Sequence, residues 1–261
     1  MAGSGADAAS AACAASPVAL VAGATGGLGA PICCALASAG FRIAVGYHRS
    51  APAAEKLAAE LPGTGHFALA APVTDSGALS AMAAELARRC QRCDVLVNVA
   101  GTTRFVPHDD LEQLDDALFD AIFAVNVRGA FAAVRALKPL LERSELPGGG
   151  VVVNISSIAA LTAMGSNVAY CASKAALDNM SRSLARALAP RIRVVSVSPG
   201  LVDTQFVKSL DQAWRDEQAA RTPLRRLALP AEVASAVVAA VTQLTFTTGA
   251  VIAVDGGRPL S

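Results

Sequence analysis

Residues 18–30 read VALVAGATGGLGA, an apolar run that ends in a cluster of glycines, Gly23, Gly27 and Gly29. A short apolar run bounded by glycine suits a strand buried on both faces, and the following GAPICCALASAG has the length of a helix. Glycines at such a junction let the backbone turn tightly and approach a pyrophosphate, which then lies at the positive amino end of the helix. A flexible loop is the competing reading of any glycine cluster. The strand-loop-helix context is what gives this one its meaning.

The same rhythm spreads along the chain. Apolar runs RIAVGY (42–47), HFALA (66–70), DVLVNVAG (94–101), VVVNIS (151–156), IRVVSVS (192–198) and AVIAVDGG (250–257) alternate with helical patterns, among them residues 111–142, 168–189 and 230–243. Alternation of this kind predicts an α/β fold, a doubly wound Rossmann-type parallel sheet of about seven strands with helices on both faces. No linker divides it, so residues 17–261 read as one NAD(P)-binding catalytic domain and residues 1–16 as a disordered tail. With 53% apolar residues but only 4% aromatic ones, the core must be Ala, Val and Leu.

Composition also excludes function classes. A formal charge of +1 offers no basic field for nucleic acid. The amino-terminal stretch lacks the basic start and continuous apolar run of a secretory signal, and the absence of about 18 uninterrupted strongly apolar residues predicts no membrane span. Six cysteines in mostly apolar or helical settings suggest a reducing cytoplasm. Cys90 and Cys93 form a C-x-x-C, but His48, His66 and His108 are scattered, so no metal is expected.

Ligands of such sheets bind where the strands end. The second run ends in GYHRS (46–50), with no Asp or Glu between Phe41 and Pro52 to accept from a bare ribose. Arg49, with Ser50 and His48 as further donors, instead suits a 2′-phosphate and selects NADP over NAD. A solvated turn residue is the competing reading of Arg49. Further on, YCASK sets Tyr170 four residues before Lys174, on one helical face. Ser157 precedes that tyrosine by thirteen residues.

Together these marks resemble the short-chain dehydrogenase/reductase family, specifically its single-domain branch containing the 3-oxoacyl-[acyl-carrier-protein] reductases. The likeness covers nearly the whole chain after residue 17: GATGGLG (23–29), NVAG (98–101), Asn126, Ser157, YCASK, SPGLVDT (198–204) and TGAVIAVDGG (248–257). It implies that Tyr170 donates and accepts the proton, Ser157 binds the substrate oxygen, Lys174 supports the tyrosine and Asn126 belongs to a proton relay. It also implies that Gly23, Thr25, Gly26, Gly27, Leu28 and Gly29 form the cofactor loop. On the same likeness Asn98, Ala100 and Gly101 would lie beside the adenosine ribose, Val73 by the adenine, and Lys174 on the nicotinamide ribose. The likeness also implies that Pro199 and Gly200 turn over the nicotinamide, with the Val202 backbone and the Thr204 hydroxyl on its carboxamide. A homotetramer packed through helices 111–142 and 168–189, and a place in fatty acid biosynthesis, are further implications.

The chemistry can be argued without the likeness. A free tyrosine titrates near pKa ~10. A neighbouring Lys174 ammonium, reinforced by an oxidised nicotinamide, is therefore expected to favour the phenolate and lower that value. A ketone oxygen gathering charge as hydride arrives would meet two donors, Tyr170 and Ser157, each worth about 3 kcal/mol.

Three departures from the family pattern stand out. Gly26 occupies a place where NADP-preferring members frequently carry a cation, Pro72 replaces an Asp or Asn, and NVAG replaces NNAG. None touches the catalytic set. The leading expectation is NADPH-dependent reduction of a ketone, with a 3-oxoacyl thioester as substrate. Dehydrogenation of another secondary alcohol, sugar or cyclic ketone is the alternative. A non-catalytic dinucleotide sensor, a class that tends to lose the tyrosine or lysine, is a third. Trp214 reads as a lid anchor or as packing.

Overall fold

Each short apolar run becomes a strand, and a helix follows almost every one. The computed structural model describes residues 16–260. Nearly all of the expected tail, Cys13 within it, and Ser261 lie outside the described residues. In chain order the elements are β1 (Val18–Ala22), α1 (Gly29–Ser38), β2 (Arg42–Tyr47), α2 (Ala51–Glu60), β3 (Phe67–Ala70), α3 (Ser76–Cys90), β4 (Val95–Asn98) and α4 (Asp116–Leu141). Then come β5 (Gly150–Ile155), α5 (Ala159–Thr162), α6 (Val168–Leu188), β6 (Ile192–Pro199), α7 (Gln205–Lys208), α8 (Gln212–Ala220), α9 (Pro230–Thr242) and β7 (Val251–Val254).

The seven strands are parallel in the order β3-β2-β1-β4-β5-β6-β7. The chain leaves β1 for β2 and β3 on one side, then returns to place β4 on the other. That reversal opens a crevice at the carboxyl ends of β1 and β4, where ligands of such sheets bind. On one face Val21, Val97 and Val153 pack against Ile32 and Leu36 of α1 and Val233 and Val237 of α9. On the other, Leu20, Leu96 and Val152 meet Leu79 and Leu86 of α3 and Leu137 and Leu141 of α4. Truncating one such leucine to alanine costs about 2–5 kcal/mol. The edge strand β7 departs from the buried pattern, alternating exposed and half-buried residues because only β6 flanks it.

Polar side chains cross-link the centre. Asn98 Nδ2 donates to Asn154 Oδ1 at 2.8 Å, Asn154 Nδ2 to Ser181 Oγ at 2.8 Å, and Ser196 Oγ to the same Ser181 at 3.0 Å. Strands β4, β5 and β6 are thereby tied to α6. At the far end of β6, Arg193 donates through Nη1 to the carbonyls of Ala240, Leu244 and Thr247 and through Nη2 to that of Val241. Its guanidinium closes the carbonyl end of α9, where cations are favoured.

Helix α4 begins at Asp116 rather than 111, because the Asp115 carboxylate accepts from the Leu118 amide and caps the helix there. It is 26 residues long with an 18-residue window of mean hydropathy 1.6, long and apolar enough to cross a membrane, a property absent from the sequence expectation. Packing accounts for much of that apolarity: Ala133, Val134, Leu137 and Leu141 belong to the core. The helix widens into a π turn at Ala124–Gly129.

Candidate active site

The π turn carries Asn126, which is almost wholly buried. Its Oδ1 accepts from the Thr102 amide at 2.8 Å, and its Nδ2 donates to the Thr102 carbonyl and to Ser173 Oγ, both at 3.1 Å. Ser173 in turn donates to the Tyr170 carbonyl at 2.7 Å. A π turn is a common device for placing a side chain that a regular helix would misdirect.

Helix α6 starts at Asn167, whose Oδ1 accepts from the Tyr170 amide at 2.7 Å. The same residue donates to the Arg104 carbonyl at 2.7 Å, so the first turn of α6 is fastened to the loop after β4. Ser157 lies near enough to Tyr170 for its hydroxyl to act on the phenol, and its Oγ accepts from the Ala159 amide at 3.2 Å. Lys174 is buried, donates to the Ile155 carbonyl at 2.8 Å and lies 5.7 Å from the centre of the Tyr170 ring. A Cβ on Gly101 would come within 3.5 Å of Asn126 Oδ1 and 3.7 Å of Lys174 Nζ, so both face one spot at the end of β4. The four residues singled out in the sequence therefore converge.

The electrostatics differ from the sequence expectation. Burial pushes the Tyr170 phenol above its ordinary value, against the opposing effect of the Ser157 hydroxyl. The expected lowering by Lys174 is not among the effects on the phenol in the chain alone; the ammonium donates to the Ile155 carbonyl. Burial in turn brings Lys174 down to about 8.

The glycine loop fits a dinucleotide. Gly23 has φ +85° and a Cβ there would lie 2.7 Å from the Ala100 nitrogen, while one on Gly29 would lie 2.4 Å from the Gly23 carbonyl. Both positions need glycine, and together they shape a cradle at the amino end of α1. Thr25, Gly26 and Gly27 are exposed and Leu28 half-buried. A Cβ on Gly27 would touch the Thr204 side chain at 3.2 Å, which brings SPGLVDT beside the loop. In that segment Thr204 N donates to the Val202 carbonyl at 2.7 Å, Pro199 is buried and Gly200 lies against Asp255. His48, Arg49 and Ser50 are exposed past the end of β2. Val73 is buried beneath Gly129. The Asn98 side chain points to Asn154 within the sheet, so it braces the crevice from below.

A family model described as Enoyl-(Acyl carrier protein) reductase matches residues 23–258, most of the chain. The chain is a short-chain dehydrogenase/reductase. Members of this family are NAD(P)-dependent oxidoreductases acting on the alcohol/ketone couple. The chain is 38% identical over 246 residues to ketoacyl reductase 2 of the granaticin polyketide synthase of Streptomyces violaceoruber, covering 94% of this chain and 96% of that one. It is also 38% identical to the D-threitol dehydrogenase of Mycolicibacterium smegmatis, covering 92% of each. Among solved structures it is similar to a gluconate 5-dehydrogenase from Burkholderia cenocepacia in complex with NADP and tartrate. That likeness has a TM-score of 0.85, 26% identity and coverage of 94% and 96%.

Sequence reasoning missed three residues of this reductase/dehydrogenase site. Ser173 and Thr102 bind Asn126, and no spacing announces such a contact. Asn167 could have been found, since an Asn three residues before a helical amide is a cap signal. Of the C-x-x-C, Cys93 is buried, donates to the Val95 carbonyl at 3.3 Å and has its thiol pushed up to about 12 by burial.

Proposed function

We propose that the protein reduces a ketone with NADPH, using Tyr170 as proton donor and Ser157 as a second donor to the carbonyl oxygen. The observation that carries this is the meeting of Tyr170 with a buried Lys174, 5.7 Å from its ring, with Ser157 near enough to act on the phenol. A phenol held above its ordinary value keeps its proton at neutral pH, which suits an acid in the reducing direction. Bound nicotinamide supplies the hydride. Ser157 and Tyr170 orient the carbonyl and meet the charge that develops on its oxygen, and Asn126 belongs to a relay that restores the proton to Tyr170. Lys174 holds the nicotinamide ribose. All four positions are kept, which favours an enzyme over a dinucleotide sensor.

A 3-oxoacyl thioester is the favoured substrate, because exposed apolar side chains lie on the segments that flank the reactive pair. Leu161, at 78% exposure, follows Ser157 on α5, and Met164 precedes Gly165, which packs on the Tyr170 ring. Phe105, 76% exposed, lies between Arg104 and Val106, both hydrogen-bonded to residues 166–167. Such a wall suits a carbon chain better than a row of hydroxyls. The likeness to a D-threitol dehydrogenase supports the second reading, oxidation of a polyol or other secondary alcohol.

NADP is favoured over NAD by Arg49, exposed and in no ion pair among the described residues, with no carboxylate between Phe41 and Pro52. Self-association into a homotetramer is proposed through α4 and α6, between which Phe123, Val127, Phe131 and Met180 line a groove of about 520 Å³. A cytoplasmic place, a role in fatty acid or polyketide synthesis, and the absence of nucleic-acid or membrane partners belong to the same proposal. The test is a panel of ketones, including a 3-oxoacyl thioester and ketoses, assayed by NADPH oxidation. No turnover with any ketone would remove the reading, and turnover of ketoses alone would replace the thioester.

A further inference from the structure

The reactive face of α6 continues one turn beyond Lys174. Residues 170, 174 and 178 are four apart and stack along the helix. Asp178 is 7% exposed, and its Oδ1 is buried without a hydrogen-bond partner. A carboxylate with one oxygen shielded in this way gains from a nearby cation, since burial of an unpaired charge is costly.

Lys174 is the cation one turn away, itself 5% exposed. The groups around its ammonium are otherwise neutral or an un-ionised phenol. Its own helix adds Tyr170; β5 presents the Ile155 carbonyl, the π turn the Asn126 amide, and the loop after β4 the Gly101 backbone. Strand β6 shows the same helix the Ser196 hydroxyl. Asp178 is the one carboxylate whose field acts on the ammonium among the described residues.

We propose that Asp178 is a positioning residue that keeps the Lys174 ammonium charged beside Tyr170. Its meaning for turnover rests on the ketone-reductase reading above. Burial brings Lys174 down to about 8, close to working pH, and the field of Asp178 opposes that fall. Without it the lysine would become a neutral amine over part of the pH range in which the enzyme works. An amine attracts neither a phenolate nor the dipole of the Ile155 carbonyl as an ammonium does.

The test follows Lys174 directly. The full chain has four lysines, Lys56, Lys138, Lys174 and Lys208. Labelling their side chains with carbon-13 gives a resolvable set of NMR signals, with Lys174 assigned by its loss in Lys174→Met. In Asp178→Asn the Lys174 titration midpoint is expected to fall by about one pH unit, the lower end of the effect of a nearby opposite charge. Asp178→Glu, which keeps the charge, is expected to hold it near the original value. The alkaline limb of kcat/KM for ketone reduction should move down with the midpoint in Asp178→Asn. Should that variant fail to fold, Asp178→Ser carries the same measurement. An unchanged midpoint in either folded, uncharged variant overturns the proposal. A lowered midpoint in a protein that turns over no ketone upholds the electrostatic role and removes the reductase reading instead.

Discussion

The carboxyl edge of the sheet is built in two ways on either side of the β1–β4 crevice. On the β1–β2 side, Thr25, His48, Arg49 and Ser50 are exposed, and Ser50 does not cap the helix it precedes. On the β4–β5 side, Asn126, Asn167, Ser173 and Lys174 are buried and each is held by at least one hydrogen bond. The first side chooses a ligand with loose, solvated groups. The second holds reacting atoms in place before any ligand arrives, which is what preorganisation requires. Substitutions on the two sides should accordingly separate binding preference from turnover and stability.

The sharpest break is Tyr170→Phe. Loss of a positioned proton donor typically costs 10²–10⁴ in rate, so NADPH-dependent ketone reduction is expected to fall by about a thousandfold. Cofactor affinity, measured by fluorescence titration, should barely change, and retained turnover would dissolve the proposed role. Next in size is Arg49→Ala. Hydrogen bonds to a charged group are worth about 1.5–3 kcal/mol, so the KM for NADPH should rise about tenfold or more, with NADH little affected. Because Arg49 is exposed, the melting temperature should stay where it is; equal losses for both cofactors would reverse the NADP proposal. Smallest is Asn167→Ala, which removes the cap of α6 and should cost about 1–2 kcal/mol. For a chain of this size that lowers Tm by roughly 2–8 °C, and kcat should fall while the KM for NADPH holds. A kcat unchanged alongside a lowered Tm would confine Asn167 to folding.

Local signals carried most of the fold. The glycine loop and the strand-helix alternation are written within a few residues of one another, and the Ser157–Tyr170–Lys174 spacing likewise depends only on one strand end and one helix. What was not legible is tertiary. That β7 is an edge strand follows from sheet order, which its apolar run does not contain. The direction of the Asn98 amide depends on Asn154, 56 residues away. The raised Tyr170 phenol depends on burial, which cannot be counted along the sequence.

Arg193 has a consequence for how the molecule comes apart. Its one guanidinium gathers carbonyls from residues 240–247, while its own strand pairs with β7. Helix α9 and strand β7 are thus latched to the same strand, and loosening β6 would free both. A lysine at that place offers only a compact point charge in place of a planar fork, so it would let this flank breathe as two pieces rather than open as one.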